Sequence, residues 1–496
     1  MSTPLSRIAD RLHREGLLRS TGGEVAATVV EEISADSRRA ARGVLFCAIR
    51  GTTGDGHEFL LAAEAAGATA ALVEEPHPGL AIPQLEVRDS RLAAAYAAAE
   101  IYRDPWSELT LVGITGTNGK TTSAAILRHL LAGGGPAASI GTLGAVGPHG
   151  QVIPGTEGLT TPGPVEVARW LRRLRDEGVR AVAMEVSSHA LHQARTAAVR
   201  FDAALFTNLS RDHLDYHGTI EEYRAAKLRL SSLVKSGGAA VLNADDPAWS
   251  GVETPEGVRA VRFGITSPEA EVRAEGLRFG AGGMAFDLWL PGETAPVELP
   301  LYGTYNVANA LGAAAVLWSL GRSADEIAQG LASLPQVPGR LERVEMPPGY
   351  PTVLIDYAHT PDALERALAA LRPLVKGELV VVFGAGGDRD RGKRPEMGRV
   401  AAEGADRVIV TSDNPRTEDP EVIANEIEAG MGHAPRLRIL DRREAIRHAL
   451  TRSGPDDVVL LAGKGHETYQ IRGTEKLPFD ERVVIREILA ETGDSH

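Results

Sequence analysis

The chain has 496 residues, 43% of them hydrophobic and 24% charged, and a formal net charge of −13. Its length predicts about three domains, and its composition excludes wholesale disorder. The acidic balance excludes broad nucleic-acid or anionic-membrane binding, so any anionic ligand must be met by a local cluster of cations.

The N-terminal stretch reads as an amphipathic helix starting near Pro4. It lacks the apolar core of a signal peptide. No apolar run is long enough to span a membrane, and the single cysteine, Cys47, has no internal partner. A cytoplasmic chain without membrane insertion and without a nucleic-acid partner is expected, with Cys47 packed in a strand. Strands are predicted over 44–49 and 68–73, and an Ala-rich helix over 90–102. Pro105 stops that helix and marks a boundary at 106.

The second block, 107–337, opens with a strand over 109–115, a Gly-rich turn and a helix over 120–131. Further strands are predicted over 181–186, 203–208 and 239–243, and an Ala/Leu helix over 309–320. The third block, 338–496, alternates more plainly. Strands over 352–356, 378–383, 407–411, 437–440 and 457–462 interleave with helices over 361–371, 395–403, 420–429 and 442–452. The expected fold is α/β in three domains. The first is small. The second is a mostly parallel P-loop ATPase-like sheet, and the third a doubly wound Rossmann-like sheet. Such sheets bind ligands beyond the carboxyl ends of their strands. Polar clusters fall at those ends here: Asp356 to His359, Gly386 to Arg389, Asp413 to Arg416 and Gly463 to Glu467.

Residues 113–122 read Gly-Ile-Thr-Gly-Thr-Asn-Gly-Lys-Thr-Thr between a strand and a helix. Glycines let the backbone approach an anion, and the loop N–H groups and helix N-terminus face it. Lys120 is placed to reach terminal phosphates, and a Thr hydroxyl to hold Mg²⁺. The general G-x-x-x-x-G-K-[ST] pattern is departed from at Ile114. His57-Glu58 and His466-Glu467 begin zincin-like patterns, but Leu61 and Gln470 occupy the final position and exclude them. His129, His192 and His217 read as structural.

The run Thr115 to Thr122 resembles the ATP loop of the Mur ligases, which include folylpolyglutamate synthetase relatives and share the departure at Ile114. The resemblance spans nearly the whole chain. It implies an ATP-dependent acid–amino-acid ligase with ATP and two Mg²⁺ ions. Gly116, Thr117, Asn118, Gly119, Lys120, Thr121 and Thr122 would hold the nucleotide phosphates. Asn306 and Asn309 would face the base, although both also read as helix-entry caps. Arg340 would support the phosphates and Asp356 the ribose. Glu185 in Glu-Val-Ser-Ser-His, and His213 in Asn-Leu-Ser-Arg-Asp-His, match metal ligands of the family, beside Thr121. Lys227, in Tyr-Arg-Ala-Ala-Lys, matches a carbamylated lysine that anchors a second ion. Lys120, Glu185, His213 and Lys227 are thus the implied catalytic set.

For the acceptor, Thr160, Thr161, Ser187, Gln193 and Arg195 match contacts to a muramoyl-peptide substrate. Ser37, Thr52, Thr53 and Gly54 match its uridine-diphosphate end. Asp413-Asn414-Pro415-Arg416 matches the branch that adds meso-diaminopimelate to UDP-N-acetylmuramoyl-L-Ala-D-Glu through an acyl phosphate. Diaminopimelate differs from lysine by a second carboxylate, which an Arg fork reads. Arg389, Gly463 and Glu467 complete the implied pocket. The resemblance implies a monomer acting in cytoplasmic peptidoglycan precursor synthesis. The lysine-adding branch, the folylpolyglutamate and D-Ala-D-Ala branches, and a non-catalytic ATP sensor are the alternatives. The first three do not explain Arg416, and a sensor does not require Lys120, Glu185, His213 and Lys227 together.

Overall fold

The computed structural model describes residues 2–51, 54–280, 282–434 and 436–493. It contains two compact units, Met1–Arg273 with Leu311–Ser323, and Ala274–Ala310 with Ala324–His496. Both are α/β. Among the described residues no helix is long and apolar enough to cross a membrane.

In the first unit the helix Leu5–Arg14 buries Leu5, Ile8, Ala9 and Leu12, the spacing of one helical face. A five-stranded sheet follows in the order Leu18–Gly22, Gln84–Val87, Ala70–Val73, Val44–Cys47, Glu32–Ser34. Only the first pair is antiparallel. Cys47 is fully buried in it, and burial pushes the thiol well above its ordinary range. Helix Ser90–Tyr102 starts at an Asp89 cap that accepts from Leu92 N. It ends before Pro105, because Arg103 (φ 59) and Asp104 (φ 41) turn left-handed.

The same unit holds a larger sheet. Its order is Gly144–Val146, Ala137–Gly141, Ala181–Glu185, Thr110–Thr115, Phe201–Phe206, Val234–Asn243, Arg259–Gly264. The start of Val272–Gly280 extends it through Phe263 and Gly264. All pairs are parallel except the first. The central strands Ala137–Gly141, Ala181–Glu185, Thr110–Thr115 and Phe201–Phe206 are largely buried apolar runs, as a sheet covered on both faces requires, and exposure grows toward Arg259–Gly264. Thr110–Thr115 lies between Ala181–Glu185 and Phe201–Phe206. The loops leaving those three strands therefore share one rim. The small sheet and the large one share one hydrophobic cluster, from Leu5 and Leu45 through Trp106 to Leu171 and Phe201. Arg169 ties them further, donating to Glu32 Oε1 (3.0 Å), Ile33 O (2.9 Å) and Tyr102 Oη (3.0 Å).

The second unit contains the antiparallel hairpin Gly283–Leu290 and Glu293–Leu299, which the strand–helix reading above does not include. Helix Ala324–Ala332 starts on its turn, where Glu293 Oε2 accepts from Ala324 N (2.7 Å). A six-stranded sheet follows in the order Glu342–Val344, Thr352–Asp356, Val458–Ala462, Leu379–Phe383, Arg407–Val410, Arg436–Arg438. Only Glu342–Val344 is antiparallel. Helices Pro361–Leu371, Lys393–Gly404 and Pro420–Glu428 bury one face of the sheet. Helices Arg442–Thr451 and Glu481–Gly493 bury the other. This is the doubly wound arrangement, with the final helix as an addition to the expected elements.

Between those last two helices Arg442 and Glu481 are both 0% exposed and 2.8 Å apart. Arg442 Nη2 also donates to Ala462 O (2.9 Å) at the end of the neighbouring strand. A buried charge without its partner is costly, so Arg442→Ala should destabilise the protein by about 3–5 kcal/mol, read by urea or thermal unfolding. Arg442→Met with Glu481→Leu should recover most of that loss, since an apolar pair removes the stranded charge.

Candidate active site

The phosphate loop leaves Thr110–Thr115 and enters helix Lys120–Leu131. Gly116 has φ +150, and a Cβ there would stand 1.8 Å from Thr207 Oγ1, so only glycine fits. The neighbouring loop grips this turn. Thr207 Oγ1 donates to Asn118 O (2.7 Å). Asn208 accepts from Asn118 N (2.9 Å) at Oδ1 and from Thr117 N (2.7 Å) at its carbonyl. Strand Phe201–Phe206 ends two residues short of the expected span because Thr207 and Asn208 leave the sheet for this task. Lys120 Nζ donates to Gly116 O (2.9 Å) and Thr117 O (2.8 Å), folded back over the loop.

Glu185 ends its strand almost completely buried. Its carboxylate accepts from Thr121 Oγ1 (3.2 Å), Thr142 N (2.9 Å) and Thr142 Oγ1 (3.2 Å). A loop hydroxyl and a strand-end carboxylate, far apart in sequence, therefore meet as adjacent oxygen donors. Such a pair suits a hard divalent cation. Among the described residues no three His, Cys, Asp or Glu side chains converge on a metal-sized site.

Lys227 lies on helix Ile220–Leu228 and is 1% exposed. Its Nζ donates to Gly116 O (2.7 Å) and stands 4.3 Å from the Tyr223 ring centre. Burial, with Lys120 nearby, holds its ammonium well below the ordinary lysine range. His213 has φ +53 and places Nε2 3.4 Å from Asp212 Oδ2. Burial lowers its imidazole pKa against the opposing pull of Asp212. The rings of His189 and His213 lie 4.8 Å apart, and His189 is held down to about 4 by burial and by its histidine neighbours. His217 Nε2 meets Ser188 Oγ (3.0 Å) inside the fold, in keeping with a structural role.

On the same rim Thr161 Oγ1 donates to Glu185 O (2.9 Å) and accepts from Ser187 N (2.9 Å). Ser187 caps the short helix Ser188–His192. Thr160 Oγ1 meets Thr142 Oγ1 (3.2 Å). Arg195 donates to Gln193 Oε1 (2.7 Å) and Thr161 O (2.8 Å), and Gln193 donates to Tyr216 Oη (3.0 Å). The five acceptor-contact candidates thus form one connected polar patch beside Glu185. Ser37 opens a short helical turn after an Asp36 cap, and Gly54 is exposed. Thr52 and Thr53 lie outside the described residues.

In the second unit Asn306 and Asn309 lie inside helix Thr304–Ser319 and are buried, so neither caps its start. Asn306 Nδ2 donates to Tyr302 O (2.9 Å), and Asn309 Nδ2 to Asn306 Oδ1 (3.1 Å). Asp356 accepts from Leu341 N (2.7 Å) and Ala358 N (2.8 Å), and burial raises its carboxyl pKa against the nearby Arg340. Arg340 stacks over Tyr357, 4.8 Å from the ring centre.

Asp413, Asn414 and Glu467 meet at the carboxyl edge of the six-stranded sheet, where Asn414 Nδ2 donates to Glu467 Oε2 (2.8 Å). Gly463 (φ +114) packs against Asp413. Arg416, itself at φ +52, donates to Gly387 O (2.7 Å). A Cβ at Gly387 would fall 1.9 Å from Pro415 O, so only glycine fits there. Arg389 is exposed on that loop. Buried Arg394 secures both loops through Gly386 O (3.1 Å) and Glu418 (2.8 Å). Thr142, Thr207, Asn208, Tyr216, Arg394 and Lys464 were not singled out as site residues in the sequence. Asn208 lies within the motif that carries His213, Thr207 within the strand predicted over 203–208, and Lys464 within the Gly463 to Glu467 cluster. Thr142 and Arg394 carry no local signal.

Three family descriptions match the chain. The Mur ligase family catalytic domain covers residues 29–102, the Mur ligase middle domain 114–317, and the Mur ligase glutamate ligase domain 339–465. The UDP-N-acetylmuramoyl-L-alanyl-D-glutamate–2,6-diaminopimelate ligase of Geobacillus kaustophilus (strain HTA426) is 45% identical, over 92% of this chain and 94% of its own. That of Gloeobacter violaceus (strain ATCC 29082 / PCC 7421) is 43% identical, over 98% and 99%. A solved structure of a ligase of the same name superposes with a TM-score of 0.71 at 32% identity, covering 99% of this chain and 100% of that one. The chain belongs to the Mur ligase family.

Proposed function

We propose that this protein joins meso-diaminopimelate to the D-Glu carboxylate of UDP-N-acetylmuramoyl-L-Ala-D-Glu at the expense of ATP, as a cytoplasmic monomer in peptidoglycan precursor synthesis. One observation carries the reading. Asp413, Asn414 and Glu467, separated in sequence, form a single polar cluster beside Arg416 at the strand ends. The diaminopimelate ligases named above, similar along nearly their whole length, support the same substrate. In this reading residues 1–106 hold the uridine-diphosphate end through Ser37, Thr52, Thr53 and Gly54. Residues 107–337 bind ATP, and residues 338–496 bind the incoming amino acid.

The chemistry brings two anions together and lets a carboxylate oxygen leave as phosphate instead of as water. Phosphoryl transfer from ATP to the acceptor carboxylate gives an acyl phosphate and ADP, and attack of the neutral amine on its carbonyl expels phosphate with loss of one amine proton. Loop N–H groups from Gly116 to Thr122 cradle the phosphates, and Lys120 releases its loop carbonyls to meet them. Asn306 and Asn309 serve the base, Arg340 the phosphates and Asp356 the ribose. Thr160, Thr161, Ser187, Gln193 and Arg195 hold the acceptor peptide, with the Arg195 fork set by Gln193. Thr121 and Glu185 would hold one Mg²⁺, and His213 and carbamylated Lys227 a second. When bound there, magnesium would supply positive charge to offset that of the phosphates and the acceptor carboxylate. Lys227 suits carbamylation because burial favours its neutral amine, the form that adds CO₂. Arg389, Asp413, Asn414, Arg416, Gly463 and Glu467 read the two ends of diaminopimelate.

ADP release should require meso-diaminopimelate and should not occur with L-lysine in its place. Release with lysine alone would keep the ligase and reject the role given to Arg416. Release with neither would reject the acceptor assignment. Arg416→Ala should raise the KM for diaminopimelate by about tenfold to a hundredfold, the worth of a charge-assisted hydrogen-bond pair, with the KM for ATP unchanged. In ¹³C-bicarbonate the protein should show a carbamate carbon resonance that Lys227→Ala abolishes. That signal should fade as pH falls, because the protonated amine does not add CO₂. An unlabelled wild-type protein would reject the carbamate.

A further inference from the structure

Lys464 follows strand Val458–Ala462 and is 0% exposed. A buried ammonium persists only when its donors are met. Its Nζ donates to Asp413 Oδ1 (3.3 Å), Asn414 Oδ1 (3.1 Å) and Glu467 Oε2 (3.3 Å). Three acceptors match its three hydrogens. Each acceptor belongs to a residue assigned above to the amino-acid pocket, and Lys464 lies behind all of them.

Two consequences follow from this geometry. Asn414 Oδ1 accepts from Lys464 and from Ile471 N (2.9 Å), so its amide can only present Nδ2 to Glu467 Oε2 (2.8 Å). The amide orientation is therefore set from behind. Each carboxylate also turns one oxygen inward to Lys464. Asp413 Oδ2 and Glu467 Oε1 accept no hydrogen bond from the described residues. Two carboxylates against one ammonium leave the cluster one positive charge short.

We propose that Lys464 is a positioning residue for the incoming amino acid: it holds Asp413, Asn414 and Glu467 so that their outward atoms form a receptor for one ligand ammonium group. This rests on the ligase reading above. Without Lys464 the two carboxylates would repel each other and the Asn414 amide would be free to flip.

The test is steady-state kinetics of Lys464→Met and Lys464→Gln with ATP, UDP-N-acetylmuramoyl-L-Ala-D-Glu and meso-diaminopimelate varied in turn. The KM for diaminopimelate should rise about tenfold or more, while those for ATP and the nucleotide-linked acceptor stay within about twofold. The Lys464→Met penalty should also shrink in a Glu467→Gln background, since the two act through one contact. Lys464→Gln keeps a donor toward the carboxylates and serves if the Met variant fails to fold. A lowered melting temperature or active fraction with an unchanged diaminopimelate KM would reduce Lys464 to a structural role and overturn the proposal. So would strictly additive effects with Glu467→Gln. A wild-type enzyme that does not use diaminopimelate would instead overturn the ligase reading, independently of Lys464.

Discussion

A carboxylate withdrawn from water must be held by donors or lose its charge, and Glu185 is held. Thr121 comes from the phosphate loop and Thr142 from the segment after the next strand, and both meet its oxygens. Thr161 ties in the acceptor patch through the Glu185 backbone carbonyl. Moving Glu185 would therefore disturb the Gly-rich loop and the polar patch of Thr160, Thr161 and Ser187 together. The parallel sheet makes this possible, since adjacent strands deliver their loops to one rim.

The second unit solves a different electrostatic problem on the same kind of rim. It gathers acidic groups rather than a phosphate cradle. Lys464 and Arg394, both fully buried, supply the compensating positive charge from behind. Glu418 shows the strength of this arrangement, its carboxyl held down to about 2 by its bonds to Arg394. Buried cations lie at the back, while Arg389 is exposed and Arg416 partly buried at the front. Order in the loops comes from charge pairing, because the segments carrying these residues have no regular secondary structure of their own.

Much of the architecture was legible in the sequence. Apolar β-branched runs bounded by Gly and polar clusters marked the parallel strands, and the helices over 90–102, 120–131 and 361–371 match those observed. The hairpin Gly283–Leu290 and Glu293–Leu299 was hidden within a block read as strand–helix repeats. Its alternating pattern needs a partner strand to become recognisable. The last helix, Glu481–Gly493, is rich in charge, and its short buried face of Val484, Ile485 and Ile488 shows only against the sheet. Asn306 and Asn309 read as possible caps because a helix start is set by backbone geometry that composition does not specify.

By itself the sequence determined the strand–loop–helix units and the residue types at their junctions: glycines where a side chain would collide, a lysine and threonines at the phosphate loop, and Asp-Asn-Pro-Arg at a strand end. Local backbone sterics and side-chain chemistry suffice for these. The tertiary structure alone decided which distant residues meet. It set Thr142 on Glu185, Thr207 and Asn208 on the phosphate loop, and Lys464 between Asp413 and Glu467. Such pairings depend on strand order and burial. A lysine reads as a solvated charge until the fold removes its water and sets two carboxylates and an amide oxygen around it.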